Sequence, residues 1–141
     1  MGVSRFRGAA AMALAALVLS ACTTSGGSQS GAVTSGRSNS SALYISALQG
    51  GIVSRAAVKL TNSELQRALE AEYRALEAAP GFQPVAWTGQ NVSGQVVAAA
   101  PYQVGQQNCR QYLHTLSVKG RQIEARGAAC RNPNGTWTPL T

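Results

Sequence analysis

The chain has 141 residues, with 12 Lys and Arg against five acids, all of them Glu, and a single His. That length gives one domain with flanking segments. Without Asp, and with one His, a metal centre of three or four side-chain ligands cannot be assembled, and no cofactor is expected. The net charge of +7 favours anionic partners.

The first 21 residues read as an export leader. Arg5 and Arg7 precede an almost unbroken small-apolar run from Gly8 to Leu19. This is the charged region and apolar region of a secretory signal, too short to span a bilayer. It ends in Leu19-Ser20-Ala21-Cys22, the aliphatic-small-small-Cys pattern of a bacterial lipobox. Cys22 is therefore the expected lipidation site. Removing the leader leaves 120 residues with ten basic and five acidic side chains. One acyl chain holds a protein only marginally, and several hold it permanently. Thr23 stands where an Asp would signal inner-membrane retention, which favours the outer membrane. Export makes nucleic acid implausible as a partner. The partners expected are outer-membrane lipid through the acyl anchor, and an envelope protein or an anionic envelope polymer.

Residues 22–41 are almost wholly Ser, Gly, Thr, Gln and Asn and read as a flexible tether after Cys22. Residues 42–60 are small and apolar, with Ser46, Gly50 and Ser54 at four-residue spacing. Two readings stand: a close-packing membrane helix, or an amphipathic helix lying on the domain or on lipid. The charge-free run is too short to span, which favours the second.

Residues 61–141 form the predicted domain. Thr61 and Glu64 make a capping box. Leu65, Ala68, Leu69, Tyr73 and Leu76 share one helical face. Glu70 and Arg74 form an i,i+4 pair, and Pro80-Gly81 ends the helix. Strands follow at Pro84–Trp87, at Gln95–Tyr102 (an edge or a bulge, because of Pro101), at Cys109–Val118, at Arg121–Cys130 and at Thr136–Leu140. Thr88–Gly94 reads as turn. The fold class expected is α+β: one amphipathic helix packed on an antiparallel sheet of four to five strands.

Cys109 and Cys130 remain after lipidation, in an oxidising compartment where a disulfide is the default. With Lys119 and Gly120 as the hairpin loop, paired positions add to 239, and 109 and 130 do so. A non-hydrogen-bonded cross-strand pair follows, where side chains approach most closely. The same register puts Tyr112, His114, Leu116, Val118, Ile123, Ala125 and Ala129 on the face that meets the helix. His114 there reads as a packed residue, facing away from Glu124. No catalytic triad, phosphate-cradling loop or C-x-x-C pair is present, so no catalytic residue is assigned. Arg110, Lys119, Arg121, Arg126 and Arg131 form a candidate binding surface for anionic material, or simply a solvated face.

These residues resemble the C-terminal domain of the rickettsial 17-kDa surface antigen family of outer-membrane lipoproteins. The likeness runs from Ala68-Leu69-Glu70 through Trp87, Gly94, Pro101 and Gly105. It continues through Cys109-Arg110-Gln111-Tyr112, Gly120, Gly127-Ala128-Ala129-Cys130-Arg131 and Gly135-Thr136-Trp137. The resemblance implies an anchored, surface-antigen-type envelope protein, structural or binding in role and not an enzyme. It departs upstream, where Gly50-Gly51 stands in place of a long glycine zipper. A lipid-tethered inhibitor of a hydrolase such as lysozyme is the other reading, and a cleft joining His114 to Glu124 would revive an enzyme.

Overall fold

The structure is a computed structural model that describes residues 35–141, with side chains from Ser41 onward. The leader, Cys22 and the first part of the tether lie outside the described residues.

The first helix, α1, spans Ser35–Ala47 and so begins inside the segment expected to be tether. It does not continue to residue 60. Gln49, Gly50 and Gly51 all take positive φ, and three successive left-handed residues end a right-handed helix. A short 3-10 helix follows at Ile52–Ala56. Of the two readings for 42–60, packing on the domain holds: Ile45, Leu48, Ile52, Val53 and Ala56 are buried in the common core.

The second helix, α2, spans Asn62–Glu77. Its capping box forms as the sequence requires. The Thr61 hydroxyl accepts from the Glu64 N–H at 3.3 Å, and the Glu64 carboxylate accepts from the Thr61 N–H at 3.0 Å. The buried face includes Ala68, Leu69 and Leu76, and extends to Ala71, Glu72 and Ala75. Small residues there let the helix lie close to the sheet. The expected Glu70–Arg74 pair does not form; Glu70 accepts from Gln66 instead.

Six strands follow: β1 Pro84–Thr88, β2 Val92–Ala98, β3 Tyr102–Val104, β4 Gln107–Val118, β5 Arg121–Arg131 and β6 Trp137–Pro139. They form one antiparallel sheet in the order β1-β2-β4-β5-β6, with β3 pairing the far end of β4. The sequence expectation of four to five strands and one helix is thus exceeded on both counts. The segment read as Gln95–Tyr102 is in fact two strands. Proline has no N–H for a ladder, and the chain leaves β2 before Pro101 and re-forms as β3 after it. β2 itself begins earlier than expected, at Val92, and runs between β1 and β4 rather than at an edge.

The β4–β5 hairpin has the predicted register, with Val118 opposite Arg121 and Cys109 opposite Cys130. Lys119 and Gly120 both have positive φ, the geometry whose twist matches the flanking strands. The disulfide closes at an S–S distance of 2.04 Å. Helices cover one face of the sheet only. Val96, Tyr112, His114, Leu116, Ala125 and Ala129 meet them there, while Gln95, Gln111, Gln122 and Glu124 face outward and stay exposed.

Candidate functional site

The polar side chains with chemical potential are mostly inside. His114 sits mid-strand in β4 and is fully buried. The Trp87 indole N–H, from β1, donates to its Nε2 at 2.8 Å. Nε2 is therefore bare and the ring proton is on Nδ1. Nδ1 donates to Glu72 Oε1, from α2, at 2.8 Å. The Glu72 carboxylate is also fully buried and accepts two more bonds, from the Val53 N–H at 2.9 Å and the Ile52 N–H at 3.1 Å. One chain of hydrogen bonds thus joins β1, β4, α2 and the start of the 3-10 helix. Beside it the Tyr112 hydroxyl is buried without a hydrogen-bond partner among the described residues. Burial first, and the Glu72 charge second, hold that phenol well above its ordinary pKa.

Two glycines make room for this relay. A Cβ on Gly94 would stand 2.5 Å from the Trp87 indole nitrogen, and one on Gly51 would stand 2.1 Å from the Glu72 carboxylate. A third, Gly127, lets Ile52 approach β5, since a Cβ there would meet the Ile52 side chain at 2.5 Å. A side chain at any of the three would force the facing Trp87, Glu72 or Ile52 side chain to move.

The arginines expected to form one basic surface are dispersed. Arg110 is not on the surface: it is 5% exposed. Its parity in β4 matches that of Tyr112 and His114, which turns it toward α2. Nη1 donates to the carbonyls of Ala75, Leu76 and Ala79 at 2.9–3.0 Å, and Nε donates to Ala99 O at 2.7 Å. These include the orphan carbonyls at the end of α2, and a cation there also meets the negative end of the helix dipole. Arg131 forms a fork with Glu77, Nε and Nη2 each at 2.9 Å, and the Trp137 indole donates to the same carboxylate at 2.8 Å. The Arg131 guanidinium holds the Glu77 carboxyl below its ordinary pKa. Arg126 is exposed on the outer face and pairs with Glu124 at 3.0 Å. Lys119 and Arg121 stand at the hairpin tip. His114 and Glu124 do lie on opposite faces, and no cleft joins them.

What the sequence reading missed is on the uncovered face. A shallow groove of roughly 620 Å³ runs over it, lined by Phe82, Val97, Ala99, Leu113, Arg126 and Ala128 among others. Phe82 is 70% exposed and has φ 66°. A bulky side chain in the left-handed region costs about 1–2 kcal/mol. The conformation is held by its N–H, which donates to Ala98 O at 2.8 Å. The Pro80-Gly81 signal marks the end of the helix, but nothing local announces that the next residue stands over a groove. Among the described residues no group of three or more His, Cys, Asp or Glu is placed to hold a metal ion. No described helix is long and apolar enough to cross a membrane.

With this geometry in place, likeness to known proteins can be assigned to particular contacts. Residues 74–138 match the family described as 17 kDa outer membrane surface antigen. The 17 kDa surface antigen of Rickettsia bellii (strain RML369-C) is 40% identical over 68 residues, 45% of this chain and 42% of that protein. Those of Rickettsia rickettsii and Rickettsia prowazekii (strain Madrid E) are 39% and 36% identical over 67 residues, with the same coverage of each chain. The matched part thus spans about two fifths of the length of these relatives. No solved structure matches. The motifs that carry the resemblance in this sequence fall on contacts of the fold. In C-R-x-Y lie the disulfide, the cation at the end of α2 and the buried Tyr112. In G-x-x-C-R lie the glycine against Ile52, the second half-cystine and the partner of Glu77. In G-x-W lie the left-handed Gly135 and the indole on Glu77. Over residues 74–138 the chain thus matches the 17 kDa outer membrane surface antigen family.

Proposed function

We propose that the protein is a surface-antigen-type envelope lipoprotein, held in the outer membrane by acyl chains on Cys22, with a structural or binding role and no catalytic one. One observation carries the role. The buried groups that could do chemistry are already spent on the fold. His114 and Glu72 saturate each other together with Trp87 and two backbone N–H groups. Arg110 closes α2. Apart from the Tyr112 phenol, no buried acid, base or cation of the described residues is left without a partner. What remains open to solvent is one face of the sheet. A protein built this way presents a surface.

The anchor is supported by the leader and lipobox, and the outer-membrane location by the name of the matching family. Growth with a clickable palmitate analogue tests it. The parent should take up label and pellet with membranes, and Cys22→Ala should do neither. A Cys22→Ala protein that still pelleted with membranes would refute acylation as the means of attachment.

A further inference from the structure

The outer face of the sheet changes character along its length. Toward the Lys119–Gly120 tip it is polar, with Ser93, Gln95, Thr115, Ser117 and Gln122. Toward the disulfide it is apolar. Val97, Ala99, Leu113 and Ala128 line the groove there, with Phe82 over it. β3 extends the same surface, because Tyr102 lies opposite Cys109 and Val104 opposite Gln107, and paired residues point to one side. Phe82, Tyr102 and Val104 are 70%, 39% and 52% exposed. The charge bordering this half, Arg126, is neutralised by Glu124. An uncovered apolar surface with two aromatic rings at its rim marks an interaction site.

α1 meets the domain at that same end, in the helix layer. Tyr44, in the last turns of α1, stacks on Tyr73 at 5.1 Å and lies against Gly135, just beyond the end of β5. Ile52 and Val53 then bond Glu72, level with the middle of the hairpin. Thr61 opens α2, whose Glu64 bonds Gln90 in the β1–β2 turn, next to the tip. From Tyr44 to Thr61 the chain therefore travels from the disulfide end to the tip. Thirteen residues, Cys22 to Thr34, link the lipidated end to Ser35, and α1 reaches the domain at its apolar end. The other exposed large apolar residues are on this half too: Leu43 is on α1, and the Leu140 N–H bonds Ala128 O. None is at the tip, where Lys119 and Arg121 stand.

We propose that this apolar end, carried by Phe82, Tyr102 and Val104, rests on the lipid surface to which the chain is tethered, and that the basic tip points away from it. Aromatic rings favour headgroup depth, and insertion at an interface requires apolar side chains as well as charge. Only the disulfide end offers them. A tether of 13 residues from Cys22 that delivers the domain apolar end first selects lipid as the occupant over a second copy or a separate partner. The proposal rests on the lipid-anchor reading above.

The test is photo-crosslinking of the full chain in cells. Phe82, Tyr102, Val104, Lys119 and Gln122 are replaced one at a time by benzoylphenylalanine. Lipid adducts, read as a phospholipid mass added to the proteolytic peptide that carries the probe, should form at the first three positions and be absent at the last two. A protein-sized adduct at 82, 102 or 104, a dimer-sized one, or no adduct at all would overturn it. Fractionation of the same cells keeps the two readings separate. If the parent pellets with membranes and Cys22→Ala does not, the anchor stands even when no lipid adduct forms.

Discussion

At the scale of single residues, Glu72 is the side chain on which most depends. Its carboxylate takes three N–H donors, from His114, Ile52 and Val53, with no water exposure. A buried charge is tolerable only when fully bonded. Glu72→Gln keeps the volume but replaces one acceptor oxygen with an NH₂ group. Either the His114 N–H or a backbone N–H then faces another donor. The expected loss is about 1–3 kcal/mol, the usual cost of an unsatisfied buried group, and urea melts would measure it. A Gln variant as stable as the parent would show that the third donor is not bonded in solution. Arg110 is a similar case at the other end of α2. Its Nη1 serves the carbonyls at the end of α2 while Nε serves Ala99 O, two sets that the single nitrogen of a lysine could not reach together.

At the scale of elements, the β4–β5 hairpin is where sequence reasoning reached furthest. Loop length and strand alternation determine register by counting alone. They placed Cys109 opposite Cys130 and sorted the hairpin into a core face and an outer face. The capping box was equally local, and α2 begins where Thr61 and Glu64 require. What escaped depended on contacts distant in the chain. Periodicity marked Tyr73 and Leu76 for the core but gave no reason to bury Glu72, whose partners lie 19, 20 and 42 residues away. The charge of Arg110 suggests the surface, but it shares the parity that puts its neighbours Tyr112 and His114 inside. The hairpin supports a direct prediction. The disulfide closes a loop of about twenty residues and should stabilise the domain by roughly 3 kcal/mol. Cys109→Ala with Cys130→Ala should therefore lower the melting temperature by roughly 10–25 °C without changing the register. An unchanged melting temperature would mean that the reduced chain is held as tightly by the Glu77 and Arg110 contacts alone.

At the scale of the whole molecule, α2 is fastened to the sheet at both ends by carboxylates. At its start, Glu64 accepts from the Gln90 N–H in the β1–β2 turn, and its own cap lowers its pKa, the Thr61 backbone bond foremost. At its end, Glu77 accepts from Arg131 and Trp137, and the Arg131 bond lowers its pKa. A carboxyl with a depressed folded pKa contributes stability that is complete above its unfolded value. That contribution disappears as pH falls through the folded value. Acid should therefore loosen both fastenings below about pH 4.5, the ordinary carboxyl value. Tyr73 and Tyr112 act at the opposite limit. Burial raises both phenols, so above about pH 10 the unfolded chain ionises where the folded one resists, and stability falls again. Denaturation followed across pH should give falling limbs below 4.5 and above 10. Glu77→Gln should make the acid limb shallower and leave the alkaline limb in place. An acid limb of unchanged slope in that variant would show that the Arg131–Glu77 fork is not what secures the helix to the last two strands.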